Sequence, residues 1–285
     1  MLSSMGEVIP VDLNAVSDLP GLVQADLGEA GALHALLDQH RPRLIVNAAA
    51  YTAVDRAEQD NATAELINAR LPSWLARWAA SNGTSMIHYS TDYVFNGRGE
   101  RPYLETDATG PESIYGSTKL AGEIAVREAG CPSLTLRTSW VYSSHGHNFV
   151  LSMLGLAKTR PELSIVDDQI GCPTWAKNLA LATLACINRG LLEGAEGGRL
   201  LHYCDAGPVS WFEFAELIFE ISLELGLLTE KPVVSAIKSS EYPQAATRPM
   251  YSVLDTSALQ SLTGFEPQRL RHALSACLEE ILHAK

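Results

Sequence analysis

The sequence predicts an α/β fold with a doubly wound, mainly parallel sheet and a smaller lobe beside it. Short apolar runs alternate with longer amphipathic segments through the first half of the chain. Acidic or small residues follow these apolar runs, as they do where strands end at a ligand site. After about residue 145 the pattern becomes mixed and Gly and Pro interrupt it, which indicates a second lobe.

Apolar runs and helical periodicity give the elements of the first half in order. We predict strands at 7–12, 43–50, 85–95 and 133–142, and helices at 30–40, 62–83 and 115–129. Pro72 kinks the second helix or marks a break in it. Helices that alternate with strands imply right-handed crossovers between parallel strands. Ligands of such sheets bind beyond the carboxyl ends of the strands, so we expect the chemistry there.

The second half is predicted to be richer in helix. Helices are expected at 148–158, 175–189, 210–226 and 267–284, with short strands near 163–167 and 199–204. We divide the chain into a dinucleotide-binding domain at 1–145, with a return near 175–205, and a mainly substrate-binding lobe at 146–285. The lobe is expected to fold against the sheet rather than independently.

Composition excludes several classes of protein. The 285 residues carry a net charge of −12, which argues against nucleic acid as the main partner. No apolar stretch is long enough to span a bilayer, and the first residues lack the pattern of a signal peptide. The five cysteines are scattered without a CxxC pair, so we expect reduced thiols in a cytoplasmic protein.

The stretch SIYGSTKLAGE, residues 113–123, places Tyr115 and Lys119 four residues apart. Residues at this spacing share one face of a helix. An ammonium near a phenol favours the phenolate, so we expect Lys119 to lower the pKa of Tyr115 toward neutrality. Tyr115 would then be a general acid for a carbonyl group under reduction. The alternative is a pair of polar residues on a helix surface.

Two other stretches support an active site. Ser90, Thr91 and Asp92 end a predicted strand, and a hydroxyl there could bind the carbonyl oxygen that Tyr115 protonates. Three alanines, Ala48 to Ala50, end another strand. Small side chains let a flat cofactor approach the backbone, although close helix packing would also explain them.

Six motifs together resemble the extended short-chain dehydrogenase/reductase family, and within it the dTDP-4-dehydrorhamnose reductases. They follow in the family's order over nearly the whole chain: VNAAAYTAVDRAE, HYSTDYVFNG, ETDATGPESIYGSTKLAGE, LRTSWVY, VDDQIGCPT and TRPMYSVLDTSAL. The resemblance implies reduction of the C4 ketone of a dTDP-linked 4-dehydro-6-deoxy sugar by NADPH, giving dTDP-L-rhamnose for surface polysaccharide.

The resemblance also implies roles for individual residues. Tyr115 would protonate the ketone, Thr91 would orient its oxygen, and Lys119 would hold the nicotinamide ribose. Asp92 and Trp140 are matched to the sugar nucleotide. The cofactor-binding residues would be Asp12, Asp26, Leu27, Ala48, Ala49, Ala50, Tyr51 and Thr52, together with Tyr115 and Lys119. An acid at Asp12 disfavours a 2′-phosphate, so NADH is a second candidate cofactor.

One feature of the family has no counterpart in these 285 residues. The family has a first strand and a G-x-x-G-x-x-G turn about twenty residues ahead of the segment that opens here. That turn presents backbone N–H groups to the cofactor pyrophosphate, and its strand is central in the sheet. We therefore expect two strands without a pairing partner and weak NADPH binding by the chain as written. A truncated, inactive reductase is an alternative to an active one.

Several alternatives stay open at this stage. The same fold could serve a non-catalytic regulatory subunit, or an epimerase or dehydratase, although a dehydratase needs an acid pair and Asp92 matches it only in part. Some relatives use Mg²⁺, for which no ligand set is identified, and a homodimer is compatible with the resemblance. His145 and His147 are expected to be loop residues rather than metal ligands. Arg248 could bind a diphosphate bidentately or form a surface salt bridge.

Overall fold

The computed structural model describes residues 2–14, 20–195 and 197–283. Its strands are β1 (Val11–Asp12), β2 (Val23–Gln24), β3 (Leu44–Asn47), β4 (Ser85–Thr91), β5 (Ser133–Thr138), β6 (Val141–Tyr142), β7 (Glu162–Val166), β8 (Ile170–Gly171), β9 (Thr174–Trp175), β10 (Arg199–His202), β11 (Val209–Ser210) and β12 (Val233–Ile237). Its α-helices are α1 (Ala30–His40), α2 (Val54–Ala57), α3 (Asn61–Glu65), α4 (Leu71–Asn82), α5 (Ile114–Glu128), α6 (Phe149–Ala157), α7 (Ala176–Asn188), α8 (Trp211–Glu224), α9 (Ser257–Thr263) and α10 (Leu270–His283).

A parallel four-stranded sheet in the order β10-β5-β4-β3 forms the centre of the molecule. Its strands are buried on both faces because helices cover each side, as the predicted crossovers require. On one face Met86 packs with Val126 of α5 and with residues of α1 and α4. On the other face Ile87 and Leu134 pack against Leu179 of α7. Side chains of a strand alternate between faces, so His88 and Ser90 lie on the α5 side with Met86.

The pair β1–β2 is a separate parallel sheet that is not hydrogen-bonded to the central one. Within the described residues β3 is therefore the outer strand of the central sheet, with β4 on its other side. Among the described residues, β1 pairs only with β2 and β3 only with β4, which is the expected loss of a pairing partner for two strands.

Residues of the second half form a core of their own beside the sheet. Buried residues of α6, α8 and α10 pack together with Tyr142, Leu163 and Trp175. Three short pairs of strands accompany this core: β7–β12, β8–β11 and β6–β9. The predicted strand at 199–204 is β10, which pairs with β5 in the central sheet. Phe214 and Phe219 are fully buried, whereas Trp211 and Phe212 are only partly buried.

The helix predicted at 62–83 is interrupted. A π-helical turn at Leu66–Arg70 separates α3 from α4, and Pro72 lies in the first turn of α4. Proline is accommodated there because the first N–H groups of a helix have no partner within it. The helix ends at Asn82, immediately before Gly83, as predicted.

All four strands predicted in the first half are shorter in the structure, with β1 at Val11–Asp12 instead of 7–12 and β3 at Leu44–Asn47 instead of 43–50. The strand expected at 85–95 ends at Thr91, whose hydroxyl accepts a hydrogen bond from Tyr93 N at 3.2 Å and caps a 3₁₀ turn at Asp92–Val94. The strand expected at 133–142 breaks after Thr138, because Trp140 has φ = 46°. Each break turns the chain away at the carboxyl end of a central strand and leaves polar side chains there.

Among the described residues, no helix is long and apolar enough to cross a membrane. All five cysteines are buried free thiols.

Candidate active site

Polar side chains from three neighbouring strands meet at one edge of the central sheet. Asn47 of β3 lies opposite His88 of β4, and Thr91 at the end of β4 lies opposite Thr138 of β5. Because the strands are parallel, their carboxyl ends share this edge. Helix α5 brings Tyr115 and Lys119 over the same edge, so the sequence motifs converge on one place.

Helix α5 begins directly before the Tyr115–Lys119 pair. The Ser113 hydroxyl accepts a hydrogen bond from Gly116 N at 3.1 Å and caps the helix. Tyr115 lies in the first turn with its phenol beside the Thr91 hydroxyl. Its ring also meets the edge of Tyr93, with 5.4 Å between ring centroids and an interplanar angle of 77°. Tyr115 and Thr91 therefore share one site, as the motifs predicted.

The expected acidification of Tyr115 is wrong for this structure. Burial raises the pKa of Tyr115 to about 12, and the negative charge of Asp92 contributes to the rise. The Thr91 hydroxyl beside the phenol acts in the opposite direction. Lys119 is not among the groups that shift this pKa, and its Nζ donates to the backbone carbonyl of Tyr89. Tyr115 thus remains a neutral phenol, which is the form that can donate a proton.

Lys119 is held in the interior, so the alternative of a surface pair is wrong. The residue is 3% exposed, and its Nζ donates a hydrogen bond to Tyr89 O at 2.7 Å. Burial lowers the pKa of Lys119 to about 8, while the Glu123 carboxylate one turn along α5 opposes that shift. Glu123 is itself bound by Arg137 of β5 at 2.9 Å and 2.7 Å. This buried ion pair holds the helix over the strand.

Asp92 is the buried acid of the site. Thr91 Oγ1 lies 3.1 Å from Asp92 Oδ1, and Oδ2 has no hydrogen-bond partner among the described residues. Burial raises the pKa of Asp92 to about 6, although the hydroxyls of Ser252 and Thr91 nearby favour the ionised form. An unpartnered carboxylate oxygen in this position can accept a hydrogen bond from a ligand hydroxyl.

The alanine segment after β3 is anchored by two buried amides. Asn47 Oδ1 accepts a hydrogen bond from Ala49 N at 3.2 Å. Asn68, in the π-helical turn, accepts from Tyr51 N at 2.8 Å and donates to Tyr51 O at 3.1 Å. Asn68 also donates to the Thr118 hydroxyl on α5, at 3.2 Å. Backbone that could border a cofactor is thus tied to the helix that carries Lys119.

The remaining residues of this segment are more open to solvent. Ala48 and Thr52 are exposed, whereas Ala49, Ala50 and Tyr51 are partly buried. Tyr51 donates a hydrogen bond from its hydroxyl to Asp60 at 3.2 Å.

Three expected cofactor residues lie in or after the separate β1–β2 pair. Asp12 is exposed at the end of β1 and accepts a hydrogen bond from Asn14 N at 2.8 Å. Asp26 is also exposed and accepts from Gly28 N at 2.8 Å, just before α1. Leu27 is partly buried and packs against the core cluster under α1 and α4. These residues are not joined by hydrogen bonds to the central strands, and their role in cofactor binding stays a prediction.

Trp140 follows β5 in a strained conformation. Its φ of 46° lies in the left-handed region, which bulky residues rarely adopt, and such strain is concentrated at functional sites. The indole stacks on Trp211 at 3.5 Å between centroids and 4° between planes. It also lies against Gly171, where a Cβ atom would stand 2.5 Å from the ring. Trp140 and Trp211 are both partly buried and pack together against the core cluster of the second half.

Arg248 forms an ion pair with Asp55 at 2.7 Å. Asp55 also accepts hydrogen bonds from Ala245 N and Ala246 N, both at 3.0 Å, so it fastens this loop to α2. Burial acts to raise the pKa of Asp55, but these hydrogen bonds and the Arg248 charge outweigh it and lower the pKa. The salt-bridge alternative for Arg248 is seen here, and a contact with a diphosphate stays a prediction.

Sequence reasoning missed three buried polar residues that support the site: Asn68, His88 and Ser252. Asn47 and Thr138 are also buried, and they stand at strand ends where the chemistry was expected. Asn47 and His88 interrupt apolar strands, which is a usable signal. Asn68 and Ser252 give no such signal, because only the tertiary structure brings them to Tyr51 and Asp92.

The described residues fit the nicotinamide half of a dinucleotide better than a metal ion. Small side chains along a backbone held by Asn47 and Asn68, with a buried ammonium nearby, suit a flat ring and a ribose diol. No G-x-x-G-x-x-G motif occurs in the sequence as given. Across 2–14, 20–195 and 197–283, no group of three or more His, Cys, Asp or Glu side chains could hold a metal ion. His145 and His147 are exposed.

The chain is similar in sequence to several known proteins. The family described as "RmlD substrate binding domain" matches residues 3–283. A curated protein of Burkholderia thailandensis named dTDP-4-dehydrorhamnose reductase is 39% identical, over 99% of this chain and 93% of its own. A protein of the same name from Escherichia coli K12 is 42% identical, over 91% of this chain and 85% of its own.

Solved structures give the same result. The dTDP-4-dehydrorhamnose reductase of Clostridium acetobutylicum superposes with a TM-score of 0.82 at 33% identity, covering 92% of this chain and 90% of its own. The Bacillus anthracis protein of that name, in complex with NADP, also has a TM-score of 0.82 at 33% identity, covering 91% and 89%. The chain belongs to the RmlD substrate-binding-domain family.

Proposed function

We propose that this protein reduces the C4 ketone of dTDP-4-dehydro-6-deoxy-L-mannose to the alcohol of dTDP-L-rhamnose, with NADPH as the reductant and NADH as a second candidate. The observation that carries the proposal is the meeting of Thr91, Tyr115 and Lys119 at the carboxyl edge of the central sheet. Support comes from relatives at 39% and 42% identity that are named for this reaction and from the NADP complex of a structural neighbour.

Tyr115 is the proton donor in this proposal. Its high pKa keeps the phenol protonated at neutral pH. The Thr91 hydroxyl beside it orients the ketone oxygen, and the carbonyl carbon gains a hydride while this oxygen gains the phenolic proton. The sum is one C–H and one O–H bond formed as the C=O double bond becomes a single bond. A proton from solvent then restores the phenol.

The bound dinucleotide would supply the hydride. Lys119 would hold the ribose hydroxyls, because its ammonium is buried and fixed to Tyr89 O at the edge of the sheet. The segment from Ala48 to Thr52 would lie along the cofactor. Asp12, Asp26 and Leu27 would contact its adenosine side, while Asp92, Trp140 and Arg248 would contact the sugar nucleotide. The proposed division is a dinucleotide-binding domain at 1–145, with a return near 175–205, and a substrate lobe at 146–285.

A regulatory subunit without catalysis is not favoured, since the three proposed catalytic residues are brought together and the relatives are named as reductases. A dehydratase is not favoured either, because Asp92 has no second acid among the described neighbours of Thr91 and Tyr115. The cytoplasmic location and a homodimer remain predictions from the sequence.

The test is an assay of the purified chain with NADPH and the dTDP-linked keto sugar, followed by loss of nicotinamide absorbance. Tyr115→Phe should lower kcat about 100- to 10,000-fold, the usual contribution of a positioned general acid. Tyr203→Phe is the matched control, since the Tyr203 hydroxyl lies outside the site and donates to Asp205 at 3.0 Å. Turnover by Tyr115→Phe equal to that of Tyr203→Phe would refute the assignment.

A further inference from the structure

His88 is a fully buried histidine that the reaction scheme above does not use. It lies in the middle of β4, 0% exposed, on the sheet face that α5 covers. Its neighbours in the sheet are Asn47 on β3 and Thr135 on β5. A buried imidazole in a strand core calls for an explanation, because each of its polar atoms costs free energy unless it is partnered.

The hydrogen bonds around Asn47 determine the tautomer of His88. Asn47 Oδ1 accepts from Ala49 N at 3.2 Å, so the other end of the amide, Nδ2, is directed to His88 Nδ1 at 3.1 Å. An NH₂ group can only donate, and His88 Nδ1 must therefore be the acceptor. The ring proton of the neutral imidazole is then on Nε2, which has no partner among the described residues.

Burial, together with the nearby charge of Lys119, keeps His88 neutral. Helix α5 presents Lys119, Glu123 and Val126 to the sheet, and β5 presents Arg137, which is paired with Glu123. Burial holds the pKa of His88 well below its usual value, and the positive charge of Lys119 lowers it further. A second cation in this place would favour the neutral amine of Lys119 and weaken its hold on a ribose diol.

We propose that His88 is a positioning residue for the reduction: as the neutral Nε2–H tautomer it holds Asn47, and through Asn47 the backbone at Ala49, while it adds no charge beneath Lys119. The effect of His88 on catalysis rests on the proposed function, but its hold on Asn47 and Ala49 can be measured without an activity assay. The chain of contacts runs from His88 Nδ1 to Asn47 Nδ2 and from Asn47 Oδ1 to Ala49 N.

The structure offers a matched control in His202 of β10. It is also 0% exposed, its Nε2 also lacks a partner among the described residues, and burial lowers its pKa to about 3. Its Nδ1 lies 3.1 Å from Tyr103 O, and it has no contact with the alanine segment or with Lys119. A buried histidine as such is therefore no sign of a role in the reaction, and the connection to Ala49 is what distinguishes His88.

The decisive experiment compares His88→Leu with His202→Leu by hydrogen exchange of backbone amides and by NMR of the imidazole nitrogens. We expect His88→Leu to speed exchange at the Ala49 amide about tenfold or more, and His202→Leu to leave it unchanged. His88→Gln should restore most of the protection, because its amide oxygen can accept from Asn47. In the unsubstituted protein the His88 ring should remain neutral with its proton on Nε2 from pH 5 to pH 9, roughly.

Activity provides a second readout. His88→Leu should raise the KM for NADPH about tenfold with a smaller change in kcat, and His88→Gln should reverse most of that. Equal protection of Ala49 in both leucine variants, or a proton on Nδ1, would overturn the proposal. If the protein reduces no keto sugar at all, the proposed function fails, while the exchange at Ala49 still decides the role of His88. If His88→Leu does not fold, the position of the imidazole proton by NMR and the exchange at Ala49 in His88→Gln test the proposal.

Discussion

Burial sets the protonation of the site at the level of single residues, and it acts in opposite directions on acids and bases. It raises the pKa of Tyr115 to about 12 and of Asp92 to about 6, and it lowers that of Lys119 to about 8. At neutral pH the phenol is thus protonated, the carboxylate mainly ionised and the amine mainly charged. That combination is the one required to donate a proton and to hold a diol.

Lys119 should cost the folded protein stability below pH 8. Burial disfavours its ammonium and lowers its pKa from 10.5 in the unfolded chain to about 8 in the folded protein. Between these two pH values the unfolded chain holds more of the proton than the folded protein does. The free energy of unfolding therefore rises with pH across this window. Lys119→Met should therefore be more stable than the natural chain below pH 8 and lose that advantage toward pH 10.5. Urea unfolding at both ends of the window measures it, and an equal difference at both would contradict the reasoning. The kcat of the natural chain should fall above pH 8.

Asp92 should make sugar binding depend on pH. Its pKa of about 6 means that the carboxylate becomes protonated as the pH falls through that value, so it loses its negative charge and one of its oxygens becomes an O–H donor. We expect the KM for the keto sugar to rise below about pH 6, with the KM for NADPH unaffected. Asp92→Asn should have a raised KM without this dependence. Steady-state kinetics from about pH 5 to 8 would show it, and a pH-dependent KM in the Asn variant would assign the titration elsewhere.

At the level of elements, α5 connects packing to chemistry. One face of the helix carries Lys119, Glu123 and Val126, at the i, i+4 and i+7 spacing of an amphipathic helix. Val126 packs with Met86, Glu123 binds Arg137, and Lys119 reaches Tyr89 O. The same contacts that hold the helix to the sheet therefore set the position of the Lys119 amine.

The π-helical turn approaches α5 at Gly122, where a methyl group has no room. A Cβ atom there would lie 2.2 Å from Asn68 O. Gly122→Ala should destabilise the protein by about 1–3 kcal/mol or more and loosen the grip of Asn68 on Tyr51. Urea unfolding and the KM for NADPH measure the two effects. Gly155→Ala in α6 is the control, since open space surrounds it and the change should be neutral or stabilise by up to about 1 kcal/mol.

At the level of the whole molecule, burial is distributed unevenly over the two sheets. β5 is buried along its whole length and β4 over most of it, whereas β1 and β2 have two residues each and are partly exposed. The central sheet therefore contributes most of the cooperative stability, and the β1–β2 pair little.

Native-state hydrogen exchange should separate the two sheets. Amides of β4 and β5 should exchange only through global unfolding, while those of β1 and β2 should exchange by local opening with a much smaller free energy. The dependence of exchange on low denaturant concentrations measures this. Equal opening free energies in both sheets would mean that β1 and β2 are held more firmly than their contacts indicate.

The sequence by itself determined the alternating elements, the parallel central sheet and the residues that meet at its edge, because periodicity and strand-end residues are local features. It also carried the likeness to a reductase family. Only the tertiary structure decided the π-helical turn, the protonation of Tyr115 and the anchoring of Tyr51 by Asn68 and of Ala49 by Asn47 and His88. These depend on burial and on contacts between residues far apart in the chain, and local patterns contain no information about either. The error over Tyr115 has this origin, since spacing placed Lys119 on the correct face but did not reveal how strongly burial would raise the pKa of the phenol.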